Sequence, residues 1–412
     1  MNDPLYFEEF ILPSGLRVFH QRRNLGWFAA KLVVGVGSRH DPPGKEELAH
    51  LLEHELAGGT SGWPGRTFPE LRAWVSSQGF EFDFGATALD HTTYGGKALN
   101  QDLEKFFRFL GDYVRRPSFA GDGEHEKAII RAERRERSNQ RSRQIERRRY
   151  RALFGRHRLA EVQGWATDKV LDSLTMADLR RHHRRYYGCG NMTLVVVGGC
   201  DRERLTEVLG RVFTPDLSGR VRPEPGEPPE FGPRRRQVYR SEKPDGQPSS
   251  TVVSYYWLLP ATVDRAALML VRNGLSLLAD ARVREAMKAT YEVVCDNDAG
   301  RDHIVMLMQT EVAVKDAART VTAIDQVLRD AAAGVAAELP RLINDYRTAI
   351  GFLELTAGEA ADKAALAVSL MGAPRPMSEL LAAIEKVGPD DIRRIIRDHL
   401  GPERAYVELV DD

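Results

Sequence analysis

The sequence predicts an α+β protein made of two similar, duplicated domains, each an antiparallel-rich sheet packed with helices. Three observations carry this expectation. Short apolar runs of period two are interspersed with longer runs of helical period. Residues 171–197 and 384–410 read as two copies of one unit. A proline-rich stretch between them divides the chain into halves of similar size.

The chain opens as a hairpin. Phe7 to Leu12 forms a strand, Pro13-Ser14-Gly15 turns it, and Leu16 to Phe19 leads back. Ala29 to Val36 is a further apolar strand. A helix over Lys45 to Ala57 is stopped by Gly58-Gly59, and Phe68 to Gln78 forms another that ends at Gly79. Phe80, Phe82 and Phe84 alternate with polar residues, as in a half-buried strand. A long helix, with room for a break, runs from about Gly123 past Arg149. Pro215, Pro223, Pro225, Pro228, Pro229 and Pro233 suit neither a helix nor a central strand. The expected division is therefore a domain over 1–213, a linker over 214–235 and a second domain over 236–412.

The repeat is ungapped. LDSLTMADLRRHHRRYYGCGNMTLVVV and IEKVGPDDIRRIIRDHLGPERAYVELV align at a constant offset of 213, matching Leu171 with Ile384 and Asp178 with Asp391. Arg180, Arg181 and Gly188 fall on Arg393, Arg394 and Gly401. Each copy reads as a helix, a glycine stop and a strand.

Composition excludes several classes. With 42% hydrophobic and 29% charged residues, 412 residues can build packed cores. Lysine plus arginine and aspartate plus glutamate both number 59, which argues against a general polyanion binder, so no nucleic-acid partner is expected. Three cysteines (Cys189, Cys200, Cys295) make no disulfide framework and suit a reducing compartment. Without a secretory-type N-terminus or an 18-residue apolar run, the expected location is cytoplasmic, with no membrane partner.

The chemistry is concentrated in His50-Leu51-Leu52-Glu53-His54. Residues i and i+4 lie about 40° apart around a helix, so both imidazoles can address one metal ion. Glu53 shares that face and can serve as general base without being a ligand. This is the H-x-x-E-H order, the inverse of H-E-x-x-H. A catalytic zinc wants a third protein ligand and one open position. Glu126 and Glu133 lie two turns apart on one helix face, and by spacing alone Glu124 and Glu136 compete with Glu133.

ELAHLLEHELAGGT resembles the active-site helix of the pitrilysin/insulinase family of zinc peptidases, and EKAIIRAE resembles that family's third-ligand segment. The opening LPSGLRV, the segment ending in LVVVGG and the duplication fit the same family. The resemblance implies a half-clamshell fold of the mitochondrial-processing-peptidase-like kind. It implies one Zn²⁺ held by His50, His54 and Glu133, with Glu126 supporting the ligands and Glu53 as catalytic base. It also implies that Arg284 and Tyr291, seven residues apart in the second half, bind substrate and stabilise the reaction's oxyanion. The expected activity is a zinc-dependent metalloendopeptidase that hydrolyses unfolded peptides or a peptide precursor in a dimeric chamber. That chamber would be a homodimer or a heterodimer with a related subunit. The alternative is a catalytically impaired member acting as a peptide-binding or scaffold subunit.

One position departs from the family. Phe84-Gly85 stand where an asparagine-alanine pair is expected on the substrate-binding edge strand, ahead of Asp90-His91-Thr92-Thr93-Tyr94. Either specificity is altered or Asp83 takes the role through a small register shift. Elsewhere the sequence suggests only structure. The ten arginines between Arg131 and Arg151 read as a solvated helix face, or as a basic wall for acidic peptides. His182-His183 read as helix surface, His91 as structural, Gly35-Val36-Gly37 as a strand end, and Cys189 and Cys200 as unliganded thiols.

Overall fold

The computed structural model describes residues 3–58, 60, 67–120, 123–137, 139–161, 166–215, 223, 226–231, 236–242, 249–290 and 292–412. Most of the proline-rich stretch and Tyr291 lie outside them. The first half contains β1 (Glu8–Ile11), β2 (Arg17–Arg22), β3 (Trp27–Val34), α1 (Leu48–Leu56), α2 (Phe68–Ser77), β4 (Phe80–Thr87) and β5 (Thr92–Leu99). There follow α3 (Leu103–Arg115), α4 (Gly123–Arg137), α5 (Gln140–Phe154), α6 (Asp168–Asp172), α7 (Met176–Tyr186), β6 (Met192–Gly198) and α8 (Arg202–Val212). The second half contains β7 (Gln237–Ser241), β8 (Ser250–Pro260), α9 (Arg265–Ala279), β9 (Val294–Ala299), β10 (His303–Ala313) and α10 (Ala317–Gly351). It ends with α11 (Ala357–Met371), α12 (Met377–Glu385), α13 (Pro389–His399) and β11 (Tyr406–Asp411). The architecture is α+β. Among the described residues no helix is long and apolar enough to cross a membrane.

The second sheet copies the topology of five of the first sheet's six strands, all but β1. The first runs β1-β2-β6-β3-β5-β4 and the second β7-β11-β8-β10-β9. In each, the last strand of the repeat pairs in parallel with an early strand (β6 with β2, β11 with β7). It pairs antiparallel with the strand on its other side (β6 with β3, β11 with β8). Both ends of α7 and α13 coincide at the offset of 213, and so do the short 3-10 turns after them, Cys189–Asn191 and Pro402–Arg404. The duplication read from the sequence therefore extends to strand order and pairing direction.

The compact units follow contacts rather than chain order. One comprises 1–143, 161–225 and 354–376, and the other 144–160, 226–353 and 377–412. Each unit thus takes in a helix from the opposite half of the chain. In the first, α11 lies against β3 and β6, and Lys31 of β3 bonds Asp362 of α11 at 2.9 Å. In the second, α5 crosses the sheet. Its Arg149 guanidinium donates to Glu408 of β11 at 2.7 Å and lies over the Tyr256 ring, while Arg148 lies over Tyr239 of β7. The arginine run is therefore not a uniformly solvated face. Arg149 is partly buried because the second sheet supplies a carboxylate that is only 1% exposed.

The first core forms where Phe28, Ala30, Leu32 and Val34 of β3 turn one face toward α1, α3 and α7. Phe80 and Phe82 of β4 meet Phe106, Phe109 and Tyr113 of α3 in edge-on or tilted aromatic pairs. Such pairs contribute about 0.5–1.5 kcal/mol each beyond burial of their area. The second core is built likewise from β8, β10, α9, α10 and α13. His182 and His183 correct the surface reading: both are buried on α7. His183 Nε2 lies 2.8 Å from the Val114 carbonyl, and burial pushes His182 down to about 3. Cys189 and Cys200 are buried and Cys295 is partly buried, and none of the three is in a disulfide.

Candidate metal centre

Helix α1 buries Leu48, Leu51, Leu52 and Leu56 in the core, so its opposite face presents His50, Glu53 and His54. Its start is unusual. Glu47 caps it in the left-handed region (φ 76°, ψ 6°), which costs a non-glycine residue about 1–2 kcal/mol. The capping is done by Asp41 instead, whose buried carboxylate accepts the Ala49 N–H at 2.9 Å. Burial pushes the Asp41 carboxyl well above its usual range, against the opposing pull of those backbone N–H groups.

Helix α4 supplies the facing carboxylates. His50 Nε2 lies 3.6 Å from Glu133 Oε2, and His54 Nε2 lies 3.5 Å from Glu133 Oε1. One donor atom from each of the three residues falls within 4.8 Å of the others, and no other such cluster occurs among the described residues. Two donors about 2.0–2.1 Å from a tetrahedral zinc ion sit about 3.3 Å apart, so these spacings suit one ion. The rivals point elsewhere. Glu124 pairs with Lys127 at 2.8 Å and its side chain is 74% exposed, and Glu136 is also exposed.

Each imidazole is held from behind. His54 Nδ1 lies 3.2 Å from Glu126 Oε2, and His50 Nδ1 lies 2.9 Å from Glu47 Oε2. A carboxylate at Nδ1 fixes the proton there and leaves the Nε2 lone pair directed toward Glu133. Burial opposes a charged His54. The Glu126 hydrogen bond and the charges of Glu53, Glu133 and Glu126 outweigh it and raise the imidazole above its ordinary value. Burial likewise opposes ionisation of Glu47, but the His50 hydrogen bond and the Arg134 charge bring its carboxyl below the usual range.

Glu53 is placed apart from these donors. Its Oε2 accepts the Thr87 hydroxyl at 2.8 Å. Strand β4 is the edge of its sheet and breaks register between Asp83 and Ala86. This bulge lets Phe84 and Gly85 share one β5 partner position, so side-chain parity flips. Phe80, Phe82 and Phe84 face the helices before the bulge, and Gly85 and Thr87 do so after it. Phe84 packs edge-on against Phe68 and Phe82, and its carbonyl accepts the Tyr113 hydroxyl at 2.7 Å. Asp83 stays on the other face, bonded to Lys31 at 2.6 Å, so the register shift brings Thr87 rather than Asp83 to Glu53.

The family model described as Insulinase (Peptidase family M16) matches residues 27–162, and that described as Peptidase M16 inactive domain matches 173–344. The chain belongs to the insulinase family, M16. An uncharacterized zinc protease of Mycobacterium leprae is 30% identical over 205 residues, covering 49% of this chain and 45% of that protein. Human cytochrome b-c1 complex subunit 1 is 27% identical over 199 residues, covering 48% and 40%. The matched part thus spans less than half the length of these relatives. A Helicobacter pylori protease superposes with a TM-score of 0.79 at 18% identity, covering 99% of both chains. A Pseudomonas fluorescens structure described as a peptidase M16 inactive domain superposes with 0.82 at 16%, covering 98% of both. These two likenesses establish the fold alone.

In this M16 chain, Arg284 lies in a π-helical turn, Asp280–Ala286, with its guanidinium 3.3 Å from Glu285. Tyr291 lies outside the described residues. Sequence reasoning missed Asp41, Glu47 and Thr87. Glu47 carried a readable signal, a carboxylate one helical turn before His50. Asp41 and Thr87 carried none, because only the bend into α1 and the β4 bulge bring them to the site.

Proposed function

We propose that this M16 chain is a zinc-dependent metalloendopeptidase acting on extended, unfolded peptides. The observation that carries the reading is the convergence of His50 Nε2, His54 Nε2 and Glu133 on one point, with Glu53 held separately beside it. Three protein donors leave a fourth position open, as catalytic rather than structural zinc requires. Bound there, zinc supplies a Lewis acid and lowers the pKa of water.

The chain's own groups do the rest. Glu53 accepts a proton from the attacking water and delivers it to the leaving amine, and the Thr87 hydroxyl fixes the carboxylate for both transfers. The free edge of β4 offers main-chain groups to an extended peptide, a pairing that needs no amide side chain at Phe84-Gly85. Arg284 and Tyr291 bind the peptide backbone and the developing oxyanion. They come from a second subunit, a like copy or a related chain, so the active assembly is a dimer.

The second reading, a peptide-binding or scaffold subunit without turnover, is favoured by the likeness to cytochrome b-c1 complex subunit 1. One experiment separates the two. The protein is given a library of unstructured peptides with and without a chelator, beside Glu53→Gln. Chelator-sensitive cleavage that falls at least about 10²-fold in Glu53→Gln, with zinc content unchanged, supports the peptidase. Stoichiometric zinc with peptide binding but no cleavage supports the scaffold.

A further inference from the structure

We propose that Glu47 and Arg134 form a positioning pair for His50, a support for the metal centre separate from Glu126. The inference rests on the zinc reading above and concerns how one ligand is aimed.

The backbone is the first observation. Glu47 is one of three non-glycine residues with positive φ among the described residues, and it sits at the entry to the ligand helix. A helix cap normally adopts an extended conformation and turns its side chain back onto the first N–H groups. Here Asp41 does that work from outside the helix. The Glu47 side chain is thereby released to run along the helix toward His50.

The second observation is what that side chain does. It is 6% exposed and uses both oxygens. Oε2 accepts from His50 Nδ1 at 2.9 Å, and Oε1 lies 2.9 Å from Arg134 Nη2. Arg134 follows Glu133 in the sequence, so one ion pair ties the start of α1 to the segment of α4 that carries the third donor. Arg134 Nη1 also lies 3.6 Å from the exposed Asp168 carboxylate.

The chemistry follows. A carboxylate at Nδ1 allows one tautomer of neutral His50, with the Nε2 lone pair aimed at Glu133. The Arg134 ion pair fixes the Glu47 rotamer. Glycine would suit this backbone better, since it enters the left-handed region without steric cost. A strained, buried glutamate there is what a positioning role requires and what a purely structural position does not.

Glu47→Gly and Glu47→Gln test this through zinc affinity, by competition with a chromophoric chelator, and the thermal midpoint of the metal-free protein. Loss of an outer-shell partner costs about 10- to 100-fold in metal affinity. Glu47→Gly should lose that much, while its metal-free midpoint falls only modestly, because relief of the left-handed strain offsets part of the cost of leaving Arg134 without this partner. Glu47→Gln should recover part of the affinity, since its amide oxygen still accepts from Nδ1–H. Affinity within about threefold of wild type in both variants would overturn the proposal. So would a fall in affinity that Glu47→Gln does not relieve and that tracks a fall in midpoint. Failure of the wild-type protein to bind zinc would instead sink the metal site itself.

Discussion

Gly85 has no side chain where Glu53 needs room. A Cβ built on Gly85 would overlap Glu53 Cγ and lie 2.9 Å from its Cδ and 3.0 Å from Oε1. The φ of Gly85 is +150°, in a region that disfavours L side chains. The β4 bulge, the glycine and the general base are therefore one arrangement. Gly85→Ala should displace the carboxylate and lower peptide hydrolysis at least about 10²-fold, the usual scale for losing a general base, with zinc content unchanged. Turnover near wild type, beside full zinc by elemental analysis, would show that Glu53 tolerates the displacement and that this coupling is wrong.

The same residues show what a sequence can and cannot disclose. The α1 face was legible because helical period alone brings His50, Glu53 and His54 together. The duplication was legible because α7 and α13 carry matched residues at one offset, and the structure extends the match to strand pairing. The aromatic alternation of β4 was legible only as far as Phe84, since a bulge inverts parity without any local signal. The exchange of α5 and α11 between units was hidden, because each helix is amphipathic in its own right and nothing nearby names the sheet it covers. His182 and His183 look polar in sequence, yet α7 buries both, and the Val114 carbonyl gives His183 a partner that lies 69 residues away.

The third ligand is decided by aim rather than by residue type. Glu133 faces both Nε2 atoms, whereas Glu136, one turn on, is exposed. Glu133→Gln should therefore reduce zinc retention strongly after dialysis against a weak chelator, and Glu136→Gln should leave it unchanged. Equal zinc in the two variants would remove Glu133 from the ligand set.

The metal-free site should respond to pH in two opposite ways. His54 is raised by the Glu126 hydrogen bond and the surrounding carboxylates despite its burial. Its folded value exceeds the unfolded one, so the stability it contributes is complete below about pH 6.5 and is lost as pH rises through the folded value. Zinc needs the neutral imidazole, so affinity should climb about tenfold per pH unit below that value and level off above it. Thermal midpoints of metal-free protein and zinc competition titrations over the same buffers check both slopes. In His54→Gln the stability slope should disappear. A slope unchanged in that variant would assign the titration to another group.

The anchor of α5 should behave as a buried ion pair. Arg149 donates to both Glu408 oxygens, at 3.2, 3.1 and 2.7 Å, and Glu408 is 1% exposed on β11, which lies between β7 and β8 in the second sheet. The guanidinium also covers the Tyr256 ring, so the contact combines charge with cation–π packing. Truncating one partner leaves the other charge buried without compensation, at a cost of about 3–5 kcal/mol, whereas replacing both with apolar residues of similar size is often close to neutral. Arg149→Met should therefore lower stability to denaturant by about that amount. Adding Glu408→Leu to the same protein should restore most of the loss, since the stranded carboxylate is then gone. Zinc affinity should be unchanged in both variants, because the ligand set lies in the other compact unit. A double variant less stable than Arg149→Met would mean that the pair contributes net attraction, and that the docking of α5 depends on charge rather than on packing.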